Sequence, residues 1–275
     1  MNGWVLAGAA AAALWGWLVR PARREAPGAD TFSKRLLAHR GLHDAKAGVP
    51  ENSLPAFAGA VRCRVGIEVD VRLTADGRVI CFHDGDLRRM CGVPGRPEER
   101  TLAELKALRL AGTDCPIPTL SELLRLVDGQ VPLLIEYKAG GKNAAALCRA
   151  ADAVLAGYTG PYRVESFYPS VLFWYRRHRP EVARGQLIGS VCRGARPLAV
   201  QLLLGLLLTN VLTRPDFIAA DHRRFPTLGV RFCRGMGAEL AVWTVTEPQE
   251  LCRLLTKADT VIFEGFLPPD SDIRE

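Results

Sequence analysis

Charged side chains follow or interrupt several short apolar runs in this sequence. Glu68 and Asp70 lie two residues apart in GIEVDVRL, and Glu136 and Lys138 repeat this spacing at the end of VPLLIEYK. Residues two apart in a β-strand share one face, so each pair is expected to point to the same side of its strand. Because an unpaired buried carboxylate is costly, these carboxylates need a partner, and a divalent cation would supply one.

Two histidines follow apolar runs in the same way. His39 and Arg40 end the run LLAHR, and His83 and Asp84 end VICFHD. Imidazole titrates near neutral pH, so it can both donate and accept a proton there. One such histidine alone is more often structural than catalytic. Two histidines, three carboxylates and two cations at the ends of predicted strands together indicate an active site.

The elements that must position these side chains alternate between short apolar runs and helical patterns. The predicted strands cover residues 36–39, 67–73, 79–83, 133–137, 162–166, 185–188, 216–220, 240–245 and 260–263. Helices are predicted between most of these strands, for example at residues 54–63, 102–108, 120–127, 144–155, 170–179 and 248–255. Asp76-Gly77 predicts a hairpin between the second and third strand, which leaves eight others. This alternation favours an α/β fold of the TIM (β/α)8 barrel type, with a doubly wound sheet as the alternative.

Composition narrows the class of protein and of partner. The chain has 275 residues, of which 48% are apolar and 24% charged, as in an ordinary globular protein. Its net charge of +7 favours an anionic partner, but the basic run at residues 176–179 lies outside any nucleic-acid-binding signature, so no nucleic acid is predicted to bind. The eight cysteines are scattered without a C-x-x-C pair, which favours free thiols over a disulfide framework.

The amino-terminal segment resembles a membrane anchor. Gly3–Val19 is apolar throughout, has tryptophans near both ends and is followed by arginines. Residues 1–20 are therefore predicted to be a membrane helix, 21–30 a linker and 31–275 the barrel domain, with a loop-rich insertion at 85–118. The arginines place that domain in the cytoplasm by the positive-inside rule. The alternatives are a cleaved signal peptide, whose basic start is missing, and a helix packed on the domain.

A second apolar run covers residues 198–212, LAVQLLLGLLLTNVL. It is too short to span a bilayer comfortably and has hardly any polar face. The run is predicted either to lie on a membrane or a partner, or to be a helix buried beneath its neighbours.

Five ordered motifs resemble those of the glycerophosphodiester phosphodiesterase family. The family carries His-Arg-Gly, Glu-Asn-Thr/Ser, Glu-x-Asp, Asp-Gly and His-Asp, and all five occur in order between Leu36 and Arg88. The later segments IEYK, SFYPSVL and VWTV are similar to later strands of the family. The resemblance implies a TIM barrel, hydrolysis of a glycerophosphodiester to glycerol 3-phosphate and an alcohol, and one divalent metal ion, Ca²⁺ or Mg²⁺.

The same resemblance implies a role for each matching residue. His39 and His83 are implied to be the general base and general acid, and Glu68, Asp70 and Glu136 the metal ligands. Arg40 and Lys138 are implied to bind the phosphate, and Phe167 and Trp243 to form the walls beside the glycerol. Which histidine is the base stays open, as does the choice between water and a glycerol hydroxyl as nucleophile. Where many members carry Asp near the end of the last strand, this sequence has Glu264, which affects head-group selectivity more than catalysis.

Two other functions remain open from the sequence. A lysophospholipase D-type activity on lysolipids would agree with the apolar runs. A barrel that binds membranes or partners without turnover is disfavoured, because such a protein would not need two proton-transfer groups.

Overall fold

Eight parallel strands close into a barrel in the computed structural model, which describes residues 3–22, 32, 35–139, 143–189, 206–223 and 227–269. The strands are β1 Arg35–Ala38, β2 Gly66–Leu73, β3 Val79–Cys81, β4 Leu133–Tyr137, β5 Tyr162–Ser166, β6 Arg184–Ile188, β7 Phe217–Asp221, β8 Glu239–Val245 and β9 Thr260–Phe263. β1 pairs with both β2 and β9, which closes the barrel, and β3 is the antiparallel arm of the hairpin with β2. The predicted TIM barrel is confirmed, because a doubly wound sheet would leave two open edges.

Helices connect most of the strands. They are α1 Gly3–Val19, α2 Leu54–Arg62, α3 Arg88–Cys91, α4 Leu102–Lys106, α5 Leu120–Val127, α6 Ala144–Leu155, α7 Pro169–His178, α8 Asn210–Thr213, α9 Leu228–Gly235 and α10 Pro248–Leu255. The helix α9 is not among the examples named from the sequence; Thr227 begins it by accepting a hydrogen bond from the backbone N–H of Val230.

Side chains of the strands alternate between two cores. On β2, Val69 and Val71 pack toward the helices within the large outer core. A smaller core inside the barrel includes Leu37, Leu134 and Ile262. Because strands of a parallel barrel are covered on both faces, the polar residues that point inward must be satisfied inside the barrel.

The predicted insertion at 85–118 contains α3, α4 and two short 3-10 turns. It has an apolar cluster of its own, which includes Leu87, Leu105 and Ile117. The ion pair from Arg72 of β2 to Glu98, at 2.6 Å, ties the insertion to the barrel.

The last turn of α1 packs on the barrel domain. Val19 is fully buried, its carbonyl accepts a hydrogen bond from the Asn210 side chain at 3.1 Å, and the rings of Trp15 and Phe232 lie 4.9 Å apart. The first part of the helix is exposed, with Trp4 89% accessible. Among the described residues, no helix combines the length and hydropathy needed to cross a bilayer, so the predicted transmembrane anchor is not supported.

Only part of the second apolar run lies in the described ranges. Residues 198–205 fall outside them, as does most of the predicted linker. In the described remainder, Leu207 and Asn210 are buried, whereas Leu206 and Leu212 are exposed.

Candidate active site

Three buried carboxylates converge at the carboxyl ends of β2 and β4. Asp70 is paired directly with Glu136 in the parallel register, and Glu68 lies one step earlier on the same face of β2. The three groups bring carboxylate oxygens within 4.8 Å of one another. The spacing of two residues seen in the sequence thus produces a compact acidic cluster.

Two cations neutralise part of this cluster. The Lys138 ammonium lies 3.0 Å from Asp70 Oδ1 and 2.7 Å from Glu136 Oε1, and Arg40 Nε lies 3.3 Å from Asp70 Oδ2. Burial opposes ionisation of Asp70, but the charges of Lys138 and Arg40 outweigh it and lower the pKa of this carboxyl. Asp70 is therefore an anion that both cations stabilise.

The charge of Glu68 is stabilised by nearby cations much less than that of Asp70. Burial, together with the neighbouring charges of Asp70 and Glu136, raises the pKa of Glu68 well above its ordinary value. Its Oε1 atom is buried and has no hydrogen-bond partner among the described residues. An orphaned oxygen inside a set of three carboxylates fits a divalent cation, and a donor set made only of oxygen is the type that Mg²⁺ and Ca²⁺ prefer.

The loop after β1 supplies a backbone contact to Glu68. Arg40 and Gly41 both adopt positive φ angles, 56° and 79°, and the Arg40 backbone N–H donates to Glu68 Oε2 at 3.0 Å. A Cβ atom on Gly41 would lie 2.9 Å from the backbone carbon of Ala56. Glycine is required there by both backbone conformation and space.

The segment before α2 braces Asp70. The Asn52 amide donates to Asp70 Oδ2 at 2.8 Å and accepts from the Asp70 backbone N–H at 3.3 Å. Ser53 caps the helix by accepting a hydrogen bond from the backbone N–H of Ala56. Glu51 forms a 2.8 Å ion pair with Arg40 and so holds the guanidinium beside the acidic cluster.

Each candidate catalytic histidine is oriented by one carboxylate. His39 Nδ1 lies 2.5 Å from Glu264 Oε2, while its Nε2 atom is 3.9 Å from Glu68 Oε2. His83 Nδ1 lies 2.7 Å from Asp84 Oδ1. Burial lowers the pKa of His83 below its ordinary value. In both residues one ring nitrogen is fixed by a carboxylate, which leaves Nε2 for a ligand.

A cavity of about 380 Å³ joins these groups. Eight of the predicted site residues line it, namely His39, Arg40, Glu68, His83, Glu136, Lys138, Phe167 and Trp243. Asp70 is fully buried within the acidic cluster. The rings of Phe167 and Trp243 meet edge to face at 5.8 Å and form an apolar wall.

The sequence-based prediction missed a fourth buried carboxyl group, Glu165. It is only 1% exposed, it is paired in register with Glu136, and it lines the same cavity. Its Oε2 atom has no hydrogen-bond partner among the described residues. The signal was present in YRVES, where Arg163 and Glu165 share the inward face of β5, as Glu68 and Asp70 do on β2. Glu264 was noted only as a departure from the family, and its contact with His39 was not foreseen.

Comparison with known proteins identifies relatives for most of the chain. Residues 39–263 match the model of the glycerophosphoryl diester phosphodiesterase family. A glycerophosphodiester phosphodiesterase of Caldanaerobacter subterraneus is 38% identical over 115 residues, which is 38% of this chain and 45% of that protein. Glycerophosphodiester phosphodiesterase 1 of Bos taurus is 25% identical over 245 residues, 76% of this chain and 71% of that protein. The segment shared with the Caldanaerobacter protein spans less than half of its length.

Solved structures share the fold. A phosphodiesterase of Oleispira antarctica, in complex with the product sn-glycerol-3-phosphate, superposes with a TM-score of 0.71 at 25% identity, covering 86% of this chain and 94% of that one. A glycerophosphodiester phosphodiesterase of Thermotoga maritima gives a TM-score of 0.61 at 28% identity, covering 83% and 93%.

Proposed function

The chain belongs to the glycerophosphoryl diester phosphodiesterase family, and we propose that it hydrolyses glycerophosphodiesters to glycerol 3-phosphate and an alcohol. The observation that carries this proposal is a single cavity lined by two histidines, two cations and the buried carboxylates. A phosphodiester carries one negative charge, and the cavity offers positive groups for it beside groups that transfer protons.

Arg40 and Lys138 are suited to hold the phosphate. Both line the cavity and both are fixed by buried carboxylates, so their donors are oriented before the substrate enters. When bound by Glu68, Asp70 and Glu136, a divalent cation, Mg²⁺ or Ca²⁺, would stabilise negative charge that develops on the phosphate oxygens.

His39 and His83 are suited to move the protons. One imidazole would remove the proton of the attacking oxygen, and the other would protonate the leaving alkoxide. Glu264 and Asp84 hold the Nδ1 atoms, so each Nε2 atom is the one that exchanges a proton with the substrate. Phe167 and Trp243 provide the apolar wall against which the carbon skeleton of the glycerol packs.

A release assay tests this activity. We expect the wild-type protein to release glycerol 3-phosphate from glycerophosphocholine and glycerophosphoethanolamine. Product release should stop when a chelator is added and resume when Mg²⁺ or Ca²⁺ is supplied. His83→Ala is expected to lower kcat by about 100-fold or more with a smaller change in KM. The matched control is His178→Ala, since this histidine contacts Trp174 outside the cavity and its loss should leave kcat unchanged. Full turnover in excess chelator would rule out the metal-dependent mechanism.

The exposed part of α1 favours a second proposal, that the protein lies at a lipid surface on the cytoplasmic side and uses lysolipids. Trp4, Leu14 and Trp17 are more than half exposed. The guanidinium groups of Arg20 and Arg214 lie 5.4 and 5.3 Å from the Trp17 ring, so cations border the apolar surface. Exposed apolar side chains beside cations can contact both the acyl chains and the anionic head groups of a membrane.

Vesicle sedimentation and product analysis test the second proposal. We expect binding to vesicles that contain phosphatidylglycerol, weaker binding to pure phosphatidylcholine, and loss of binding in a variant with Trp4→Ser and Leu14→Ser. Release of choline from lysophosphatidylcholine would support the lysolipid substrate. Turnover restricted to glycerophosphocholine would contradict it.

A further inference from the structure

We propose that His39, His43 and Glu264 form a second metal site, which binds a transition-metal ion such as Zn²⁺ and inhibits the enzyme. Each residue offers a donor atom, and the three atoms lie within 4.8 Å of one another. The site is distinct from the acidic cluster, because it combines two imidazole nitrogens with one carboxylate. The inhibition rests on the proposed function, whereas the binding does not.

The positions of the donor atoms fit a cation with small rearrangement. Glu264 lies between the two histidines, with Oε2 2.5 Å from His39 Nδ1 and Oε1 3.8 Å from His43 Nε2. Zinc bonds of about 2.0–2.2 Å place two ligands of a tetrahedral ion about 3.4 Å apart. The distance between His39 Nδ1 and Glu264 Oε2 must therefore increase by about 1 Å, and the distance between His43 Nε2 and Glu264 Oε1 must decrease slightly.

The Nε2 atom of His43 is available to a metal ion. Its Nε2 atom is buried and has no hydrogen-bond partner among the described residues. Burial lowers the pKa of His43, so the imidazole is neutral near pH 7 and keeps a lone pair for a cation. The hydrogen bond from His39 lowers the pKa of Glu264 to about 2, so its carboxylate is ionised. A buried orphaned nitrogen beside a carboxylate is the feature that points to a ligand.

The chemistry of the donors separates the two sites. Imidazole suits Zn²⁺, Co²⁺ and Cu²⁺, whereas carboxylate oxygens alone suit Mg²⁺ and Ca²⁺. Two histidines with one carboxylate and an open fourth position also match the ligand set that zinc commonly uses. Excess Mg²⁺ should therefore occupy the acidic cluster and leave the second site to the softer ion.

A second cavity gives this site its own entrance. It has a volume of about 590 Å³ and is lined by His43, Glu264, Lys46 and Cys63, among others. His39 lines the first cavity instead. An ion could thus reach the site without passing the bound phosphodiester, and by binding His39 it would remove one of the two proton-transfer groups.

Zinc inhibition in the presence of saturating Mg²⁺ is the first test. We expect micromolar ZnCl₂ to inhibit the wild-type protein. His43→Ala should keep its zinc-free kcat, because the His43 Nε2 atom makes no hydrogen bond among the described residues. It should need about tenfold more zinc or more for half-inhibition. Cys63→Ser is the matched control, since its thiol lines the same cavity and could bind zinc by itself; it should behave like the wild type.

Co²⁺ binding is the second test and does not depend on activity. In Mg²⁺-saturated protein, we expect one equivalent of Co²⁺ to give the visible absorption of a tetrahedral site, and His43→Ala and His43→Gln to abolish it. Equal zinc sensitivity of the wild type and both His43 variants, or an unchanged Co²⁺ spectrum in them, would overturn the proposal. If Co²⁺ binds as expected to a protein that hydrolyses no phosphodiester, the second site stands and the proposed function is wrong.

Discussion

Asn52→Ala should weaken metal binding far more than it changes the shape of the site. The substitution removes the 2.8 Å hydrogen bond to Asp70 Oδ2 and the 3.3 Å bond from the Asp70 backbone N–H, both in a fully buried setting. The first bond involves a charged acceptor and is worth about 1.5–3 kcal/mol, and the second about 1 kcal/mol. We therefore expect the free energy of unfolding to fall by about 2–4 kcal/mol. Because Asn52 orients Asp70, one of the proposed metal ligands, the affinity for Mg²⁺ or Ca²⁺ should fall about 10- to 100-fold.

The adjacent helix cap provides the matched control. Ser53→Ala removes the cap of α2 and should cost about 1 kcal/mol of stability. Among the described residues, the Ser53 hydroxyl hydrogen-bonds to the backbone of Pro50 and Ala56 and not to the carboxylates. Urea unfolding in chelator measures the stability of both variants, and isothermal titration calorimetry measures their cation affinity. If Asn52→Ala binds the cation as tightly as Ser53→Ala does, the bracing role assigned to the Asn52 amide is wrong.

Three further substitutions probe packing and ionisation. Gly66→Ala would place a Cβ atom 2.2 Å from Leu37 Cδ2, so urea unfolding should show a loss of about 1–3 kcal/mol, and unchanged stability would contradict the tight packing at this strand. Burial raises the pKa of Glu165, so its ionised form destabilises the metal-free protein at pH 7. Glu165→Gln should therefore raise the free energy of unfolding there by at least about 1 kcal/mol, and this gain should vanish as the pH falls to 4.5. Glu264→Gln should lower stability. The pKa of the Glu264 carboxyl is lowered to about 2, so this group stabilises the fold above pH 4.5 and loses that effect as the pH falls toward 2. A stability difference between wild type and variant that stays constant over this range would refute the expectation.

The sequence predicts the acidic cluster well because its cause is local. Alternation along β2 and β4 puts Glu68, Asp70 and Glu136 on the inward face, and parallel pairing sets the two strands side by side. The same alternation in β5 contains Glu165, which could have been predicted by the identical rule.

Other contacts depend on features that no local pattern contains. Asn52 has a left-handed backbone conformation, which points its amide at Asp70. The residue preferences of helix starts do not predict this conformation. The apolar pattern of α1 gives no sign that its last turn packs against Asn210 and Phe232, because apolar residues on all sides suit a lipid and a protein surface equally.

The contact between His39 and Glu264 joins residues 225 positions apart, across the seam where the first strand meets the last. During translation, the amino-terminal half of the site is synthesised long before its partner leaves the ribosome. A nascent or prematurely terminated chain that lacks β9 would carry the acidic residues and both histidines, but His39 would have no carboxylate to orient it. On the proposed mechanism, such a chain would lack an oriented His39 and, with it, one of the two proton-transfer groups.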